Sequence, residues 1–215
     1  MSWSLPSFAG RELELELLDP NAVSLYRLFR HPGMDWDAPP EQFRNERVDP
    51  PVGEKGRFAV LYLADTVKCI AMECRVLRAD VMTGRFSWDP QLATAYRLAG
   101  YRFERPAIFV PLDGPNCSEF GLDDAELPLG DNAPFQALSL TLFQRFGDVV
   151  HGLSWRSMHR GQPGRVYALW HHHKATIELA TVPPDRAYLP LIESTEWAEV
   201  LQANPLVERL DSAPR

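Results

Sequence analysis

The chain has 215 residues, of which 45% are hydrophobic and 24% charged, a composition typical of a globular protein with a sizeable core. Its net charge of −7 argues against a broad nucleic-acid-binding surface, because affinity for phosphate backbones comes mainly from clustered Lys and Arg. No stretch approaches the roughly 20 apolar residues of a membrane span and no secretory signal opens the chain, so we expect a cytoplasmic protein without a membrane partner.

The cationic and thiol residues give two further expectations. Lysine occurs only three times, so arginine supplies most of the positive charge, and its planar fork suits phosphate and carboxylate groups. Three cysteines are an odd number, and Cys69 and Cys74 lie about one and a half turns apart on a predicted helix. They are therefore interpreted as buried thiols and not as a disulfide framework.

The first two predicted elements precede residue 33. Residues 12–18 alternate Glu and Leu, which at period two predicts a half-buried strand, although both residue types also favour helices, and the two interpretations stay open. The alternation of Val23 and Leu25 predicts a strand that ends before the His31-Pro32-Gly33 turn. Arg27 then lies within this strand or at its end.

Residues 35–55 are rich in Pro, Asp and Arg and lack periodicity, so we predict a long loop. It contains Arg44 and Arg47 and could fold over an anionic ligand, or it could be a surface excursion.

The segment from Val60 to Leu77 predicts a buried strand followed by a helix. Val60 to Leu63 are all apolar or aromatic, which favours a strand buried on both faces. Asp65 and Thr66 are the candidate N-caps, and apolar residues then recur at helical spacing as far as Leu77. Glu73 lies at the border of the apolar stripe, where a carboxylate is partly desolvated yet able to reach a ligand. This position suits a catalytic acid and an ordinary surface glutamate equally well.

The rest of the chain mixes both element types, so we predict an α+β fold with mixed or antiparallel sheets and flanking helices. The strongest prediction is a core helix that begins at Pro134, a first-turn proline. The turn residues Gly-Gln-Pro-Gly predict a β-hairpin with Ser157 near its turn. The predicted segments are a helix near 91–98, a strand at 107–112, a loop at 113–131, a helix at 134–146, hairpin strands at 149–157 and 165–170, an apolar alternation at 176–182 and a helix near 196–202.

Common catalytic and metal-binding patterns give little signal. His171, His172 and His173 are placed on a strand, where neighbouring side chains face opposite sides, so we expect no metal site. Ser157 could be combined with His151 or His159 into a triad, but no GxSxG motif surrounds it. Glycine-rich phosphate loops of the GxGxxG or GxxxxGK type are absent from the sequence.

Four ordered segments carry a family resemblance: Tyr26-Arg27, RVDPPVG at 47–53, VLYLADTVKCIAME at 60–73 and GLSWRS at 152–157. Together they resemble the RES-domain family, many of whose members are toxins in Xre/RES toxin–antitoxin pairs. The resemblance implies one RES-like domain over 1–215, with its core at about 20–175 and a fold similar to ADP-ribosyltransferases. It implies a separately encoded Xre-type antitoxin and leaves a homo-oligomer open.

The resemblance also implies an activity: consumption of NAD as substrate, without a metal, by phosphorolysis or hydrolysis of the nicotinamide–ribose bond. Protein ADP-ribosylation at the same site and a catalytically silent binding module are the alternatives. By motif, Glu73 would be the catalytic acid, and Arg27, Arg47, Tyr62 and Ser157 would line the NAD pocket. Arg57, closer to the strand, competes with Arg47 for the second arginine position, although no proline follows it as in Arg47-Val48-Asp49-Pro50-Pro51.

Overall fold

Eight strands pair into one mixed sheet within the part of the chain that the structure describes, and three short strands form a second sheet. The structure is a computed structural model, and it describes residues 12–20, 24–31, 33, 35–80, 82–83, 85–122, 132–157, 164–182, 188–204 and 207–210. The strands are Glu16–Leu18 (β1), Leu25–Phe29 (β2), Val60–Ala64 (β3), Leu77–Ala79 (β4), Phe86–Trp88 (β5), Arg97–Arg102 (β6), Ala107–Pro111 (β7), Gly152–Arg156 (β8), Arg165–Trp170 (β9), Ala180–Val182 (β10) and Glu208–Arg209 (β11). The large sheet has the order β1-β7-β8-β9-β3-β2-β6-β10, in which β7 and β8 are parallel and all other neighbours antiparallel. The small sheet has the order β11-β5-β4.

Five α-helices flank these sheets in the described ranges, and this α+β arrangement confirms the predicted fold class. The helices are Val67–Glu73 (α1), Pro90–Ala95 (α2), Pro115–Glu119 (α3), Ala133–Phe146 (α4) and Thr195–Ala203 (α5). Short 3-10 turns lie at Glu41–Phe43, His171–Lys174 and Leu191–Glu193. None of the helices in the described residues has the length and apolar character that a membrane span requires.

The strand β3 is buried on both faces, as predicted. Val60 and Ala64 point into the apolar cluster that α1 and α4 cover, whereas Leu61 and Leu63 point into a second cluster on the opposite face. The second cluster contains large side chains from other strands of the sheet, among them Tyr101 and Phe109. Because both of its faces are buried in apolar clusters, β3 is a core strand of the sheet, and it anchors the residues that follow it.

The helix α1 is shorter than predicted. Thr66 is its N-cap and accepts a hydrogen bond from the Cys69 N–H at 3.1 Å, as the capping pattern indicates. The predicted end at Leu77 is wrong, because the helix ends at Glu73 and Arg75 adopts a φ of 59°. This left-handed residue turns the chain, so Leu77 begins β4 instead of continuing the apolar stripe.

Several other boundaries differ from the sequence prediction. The open question over residues 12–18 is resolved as a strand at Glu16–Leu18. The helix predicted near 91–98 ends at Ala95, and its last predicted residues belong to β6, where cross-strand pairing with β2 overrides helix propensity. The loop predicted at 113–131 contains the short helix α3, and its residues 123–131 lie outside the described residues.

The remaining predicted elements are confirmed, but some begin at other residues than predicted. The helix α4 and the hairpin of β8 with β9 are confirmed, although β8 begins at Gly152 and not at residue 149. The first hairpin residues, Val149 and Val150, belong instead to the turn after α4. The alternation at 176–182 becomes a strand only at Ala180–Val182. The long loop at 35–55 is confirmed, with one 3-10 turn inside it.

The three cysteines are free, in agreement with the sequence prediction that they form no disulfide framework. Cys69 and Cys117 are buried, whereas Cys74 is half-buried. Burial raises the pKa of the Cys69 and Cys74 thiols to about 12, so both stay protonated and are poor nucleophiles at neutral pH.

Candidate active site

The carboxylate of Glu73 lies where α1 meets the end of β8. Glu73 is the last residue of α1 and is half-buried. Ser157, the first residue after β8, donates a hydrogen bond from its Oγ to the Glu73 Oε1 at 2.9 Å. Residues 84 positions apart in the chain are therefore joined by a direct polar contact.

The position of Ser157 depends on a close approach between the hairpin and α1. The Ser157 N–H donates to the Gly164 carbonyl at 2.9 Å, which extends the β8–β9 ladder by one pair. Gly164 has a φ of +151°, and a Cβ there would lie 2.8 Å from the Cys69 Cβ. Only glycine fits both the backbone conformation and this contact, so Gly164 lets Ser157 come within reach of Glu73.

Arg27 lies where the large sheet opens between β2 and β3. The strand β2 pairs with β6 along its whole length, but its register with β3 contains a single pair, Tyr26 with Ala64. Arg27 follows directly, and its Nη1 donates to the Tyr62 carbonyl of β3 at 3.1 Å. The side chain thus takes a carbonyl that a continued ladder would use. Burial lowers the pKa of Arg27, which is 7% exposed.

Tyr62 lies on the same strand, and its hydroxyl binds the loop before it. The Val48 N–H donates to the Tyr62 Oη at 3.3 Å, and the Tyr62 ring meets the Trp155 ring edge to face at 6.4 Å. Burial, followed by the nearby Asp49 carboxylate, raises the pKa of Tyr62 well above its usual value. The phenol therefore stays protonated and serves as a neutral hydrogen-bonding group.

Arg47 is partly buried and is influenced by the charge of Glu73, whereas Arg57 lies at the surface. Burial lowers the pKa of Arg47, and the Glu73 carboxylate is the strongest influence in the opposite direction, followed by Tyr62. The Arg57 side chain is 62% exposed and pairs with Glu54 at 2.7 Å. Of the two arginines that the sequence leaves in competition, the structure brings Arg47 to the other predicted site residues and places Arg57 at the surface.

Arg44, the other arginine of this loop, holds the loop in shape. Its guanidinium donates to three backbone carbonyls, those of Pro39 at 2.8 Å, Lys55 at 2.6 Å and Phe58 at 3.1 Å. The two ends of the loop are thus tied together by one charged side chain. Arg44 is a structural residue of the loop, whereas the charge of Arg47 is influenced by the Glu73 carboxylate.

The three consecutive histidines do not converge on one point. They form a 3-10 turn, so their predicted placement on a strand is wrong. The His171 Nε2 bonds the Trp36 carbonyl at 2.9 Å, the His173 Nε2 bonds the Gly147 carbonyl at 2.6 Å, and His172 packs edge-on against Phe143. Within the described residues, no group of three His, Cys, Asp or Glu side chains is arranged to hold a metal ion.

The Ser-His-acid combination is not formed by His151. Its Nδ1 accepts a hydrogen bond from the Ile108 N–H at 2.9 Å, while Ser157 bonds Glu73 instead. The other candidate, His159, lies outside the described residues.

The site therefore combines one half-buried carboxylate held by a hydroxyl, two partly desolvated guanidinium groups and a protonated phenol. Charges in such surroundings act more strongly on a ligand than they would in water. A carboxylate can stabilise a developing positive charge, and arginine groups can bind anionic groups of the same molecule.

A family model for the RES domain matches residues 24–191 of this chain, which include every residue of the site. The chain belongs to the RES domain family. No curated protein sequence matches it. Among solved structures, the RES domain is similar to the crystal structure of the M. tuberculosis MbcT–MbcA toxin–antitoxin complex, with a TM-score of 0.55 and 20% sequence identity. The match covers 84% of this chain and 91% of that chain, and it shows a shared fold.

Sequence reasoning missed the residues of this RES domain that hold the site in place. Gly164 lies in the predicted turn, but only its contact with Cys69 shows why glycine is needed. Gln136 and Ser139 bond the loop that carries Arg47. A signal for these two residues is present in the sequence, because they are polar residues on the buried face of a helix predicted to be a core helix.

Proposed function

We propose that this RES domain consumes NAD by cleaving its nicotinamide–ribose bond, with phosphate or water as acceptor. The observation that supports it most is the hydrogen bond from Ser157 to Glu73, whose carboxylate also influences the charge of Arg47. All three residues lie within the matched RES domain, in segments that resemble the family motifs.

Glu73 would act on the ribose. When the bond between the ribose C1′ and the nicotinamide nitrogen breaks, its electron pair leaves with nicotinamide, and C1′ gains oxocarbenium character. A carboxylate near the ribose hydroxyls stabilises this positively charged ribose more than it stabilises the uncharged ribose of bound NAD. This difference lowers the barrier to cleavage. An oxygen of phosphate or water then bonds C1′, and a water acceptor loses its proton to the solvent.

The other site residues would bind and orient NAD. Arg27 and Arg47 supply two guanidinium groups for the negatively charged pyrophosphate. Tyr62 offers an aromatic ring for the nicotinamide, and the Ser157 hydroxyl offers a hydrogen bond to the carboxamide or the ribose. Binding energy from these remote contacts would hold C1′ near Glu73.

We further propose that the protein is a toxin in the cytoplasm that a separately encoded Xre-type antitoxin neutralises. The membership of the RES family supports this role, and so does the fold shared with a chain of the MbcT–MbcA toxin–antitoxin complex.

The test is an NAD turnover assay on the purified protein with and without inorganic phosphate, followed by chromatography of the products. Free nicotinamide with the 1″-phosphate of ADP-ribose indicates phosphorolysis, and nicotinamide with ADP-ribose indicates hydrolysis. Lysate incubated with labelled NAD is the companion experiment, because label on a protein band would indicate ADP-ribosylation instead. Intact NAD in all of these reactions contradicts the proposal.

A further inference from the structure

Arg47 lies in a turn, residues 46–49, whose first and last residues are joined by two hydrogen bonds. The Asp49 N–H donates to the Glu46 carbonyl at 3.2 Å, and the Glu46 N–H donates to the Asp49 Oδ2 at 2.8 Å. Val48 and Asp49 are 0% and 2% exposed, so the second half of the turn is buried, whereas Arg47 is half-buried. Carboxylate closure of this kind restricts the backbone of all four residues.

One face of α4 fixes this turn from outside. Asn132, Gln136 and Ser139 follow at i, i+4 and i+7, which places them in one row along the helix. Each donates to a carbonyl of the loop: the Asn132 Nδ2 to Asn45 at 3.2 Å, the Gln136 Nε2 to Glu46 at 2.9 Å and the Ser139 Oγ to Val48 at 2.8 Å.

The same helix also contacts the side chain of Arg47. The Arg47 Cζ lies 5.0 Å from the centre of the Phe135 ring, at a distance typical of a cation–π contact. On the opposite side, the Val48 N–H is bonded by the Tyr62 hydroxyl. The peptide groups on both sides of Arg47 are therefore held, from α4 and from β3, before any ligand arrives.

We propose that Gln136 and Ser139 are positioning residues that preorganise Arg47 for the anionic part of the substrate. The proposal rests on the proposed function, in which that part is the pyrophosphate of NAD. Two buried side-chain donors, 8% and 0% exposed, are costly on a core helix unless they are bonded, and both are used on this turn. A turn that is ordered before binding avoids the entropic cost of ordering it when NAD binds. The hydrogen bonds from α4 therefore increase the affinity for NAD.

The first measurement is the steady-state kinetics of NAD consumption by Ser139→Ala and Gln136→Met, which remove one donor each at similar volume. We expect each substitution to raise KM for NAD by about fivefold, the equivalent of one net hydrogen bond, with kcat changed by less than about twofold. Thr141→Ala is the matched control, because the Thr141 hydroxyl bonds the Ala137 carbonyl within α4 and not a carbonyl of the turn. An unchanged KM in both variants overturns the proposal, and so does an equal rise in the control.

The second measurement is hydrogen exchange at the amides of residues 46–49, which needs no substrate. The proposal predicts faster exchange there in Gln136→Met/Ser139→Ala than in the wild type, with no acceleration in Thr141→Ala. Unchanged exchange overturns the inference whatever the kinetics. A wild-type protein that leaves NAD intact would refute the proposed function and the pyrophosphate assignment, whereas accelerated exchange in the double variant would still support the holding of the turn by α4.

Discussion

At the scale of single residues, Glu73 is the group whose charge we expect activity to need most. The substitution Glu73→Gln keeps the shape and the acceptor oxygen that Ser157 bonds, but removes the negative charge. We expect kcat for NAD cleavage to fall by about 10² to 10³-fold, the range seen when one electrostatic contact to a transition state is lost. Thermal unfolding should be unchanged, and nicotinamide release measures the rate.

Glu54→Gln is the control for that substitution, because Glu54 pairs with Arg57 at the surface, and it should keep full activity. An active Glu73→Gln protein would remove Glu73 from the mechanism.

The two competing arginines give a second prediction at this scale. Arg47→Lys keeps the charge but loses the planar fork and the contact with Phe135, so we expect KM for NAD to rise at least about tenfold. Arg57→Lys should leave KM unchanged, because its side chain is 62% exposed and faces Glu54. Parallel KM measurements decide between them, and a larger effect at Arg57 would reverse the assignment.

At the scale of elements, the contact of the β8–β9 hairpin with α1 depends on one glycine. Gly164→Ala would impose a side chain at a φ of +151° and bring its Cβ to 2.8 Å from the Cys69 Cβ. We expect the free energy of unfolding in urea to fall by about 1–3 kcal/mol, and NAD cleavage to fall as Ser157 is displaced.

Gly121→Ala is the matched control for this contact. Gly121 also has a positive φ, 66°, but a Cβ there would meet nothing within 4 Å. It should therefore lower stability by the smaller conformational cost alone and leave activity intact. Equal losses in both variants would show that the Cys69 contact does not matter.

The elements also show what the sequence can and cannot predict. Periodicity identified β3 and α4, because each buries a regular apolar pattern in the core. It missed the end of α1, because the residue that turns the chain there is Arg75 in a left-handed conformation. No glycine or proline marks this position as a helix end. It also missed β6 and assigned its first residues to a helix, because the pairing of β6 with β2 is a contact between distant segments.

For the candidate site, too, the sequence predicted some features and missed others. The four motif segments indicated Arg27, Arg47, Tyr62, Glu73 and Ser157, and their functional roles stay predictions. No local pattern could reveal that the sheet opens after Tyr26, or that Ser157 reaches Glu73 across 84 positions. These features come from tertiary packing, which single-sequence reasoning does not contain.

At the scale of the whole molecule, the proposed activity predicts toxicity. Induced expression of the wild-type protein in a bacterium should lower cellular NAD and stop growth, whereas Glu73→Gln at equal protein level should do neither. Measuring cellular NAD alongside growth tests whether the growth arrest accompanies NAD loss. Growth arrest with an unchanged NAD pool would point to a different toxic activity, and normal growth with an unchanged pool would favour a catalytically silent binding module.

Buried histidines make the stability of the whole fold depend on pH. Burial lowers the pKa of His151, His171 and His173 from the usual 6.5, and the neighbouring His173 and His172 lower that of His151 further. As the pH falls, the unfolded chain binds protons before the folded protein does, so stability falls with it. The stabilisation is therefore complete above about pH 6.5 and is lost as the pH drops through the lower pKa values of the folded state.

His151 is the best single test of this dependence, because its Nδ1 accepts the Ile108 N–H and cannot do so once protonated. The Tm of the wild type should drop between pH 7.5 and 5.5, and His151→Asn should show a smaller drop, since an amide offers an acceptor that does not titrate. His31→Asn is the control, because His31 is exposed, and its pH profile should match the wild type. A His151→Asn profile parallel to that of the wild type would assign the acid sensitivity to groups other than His151.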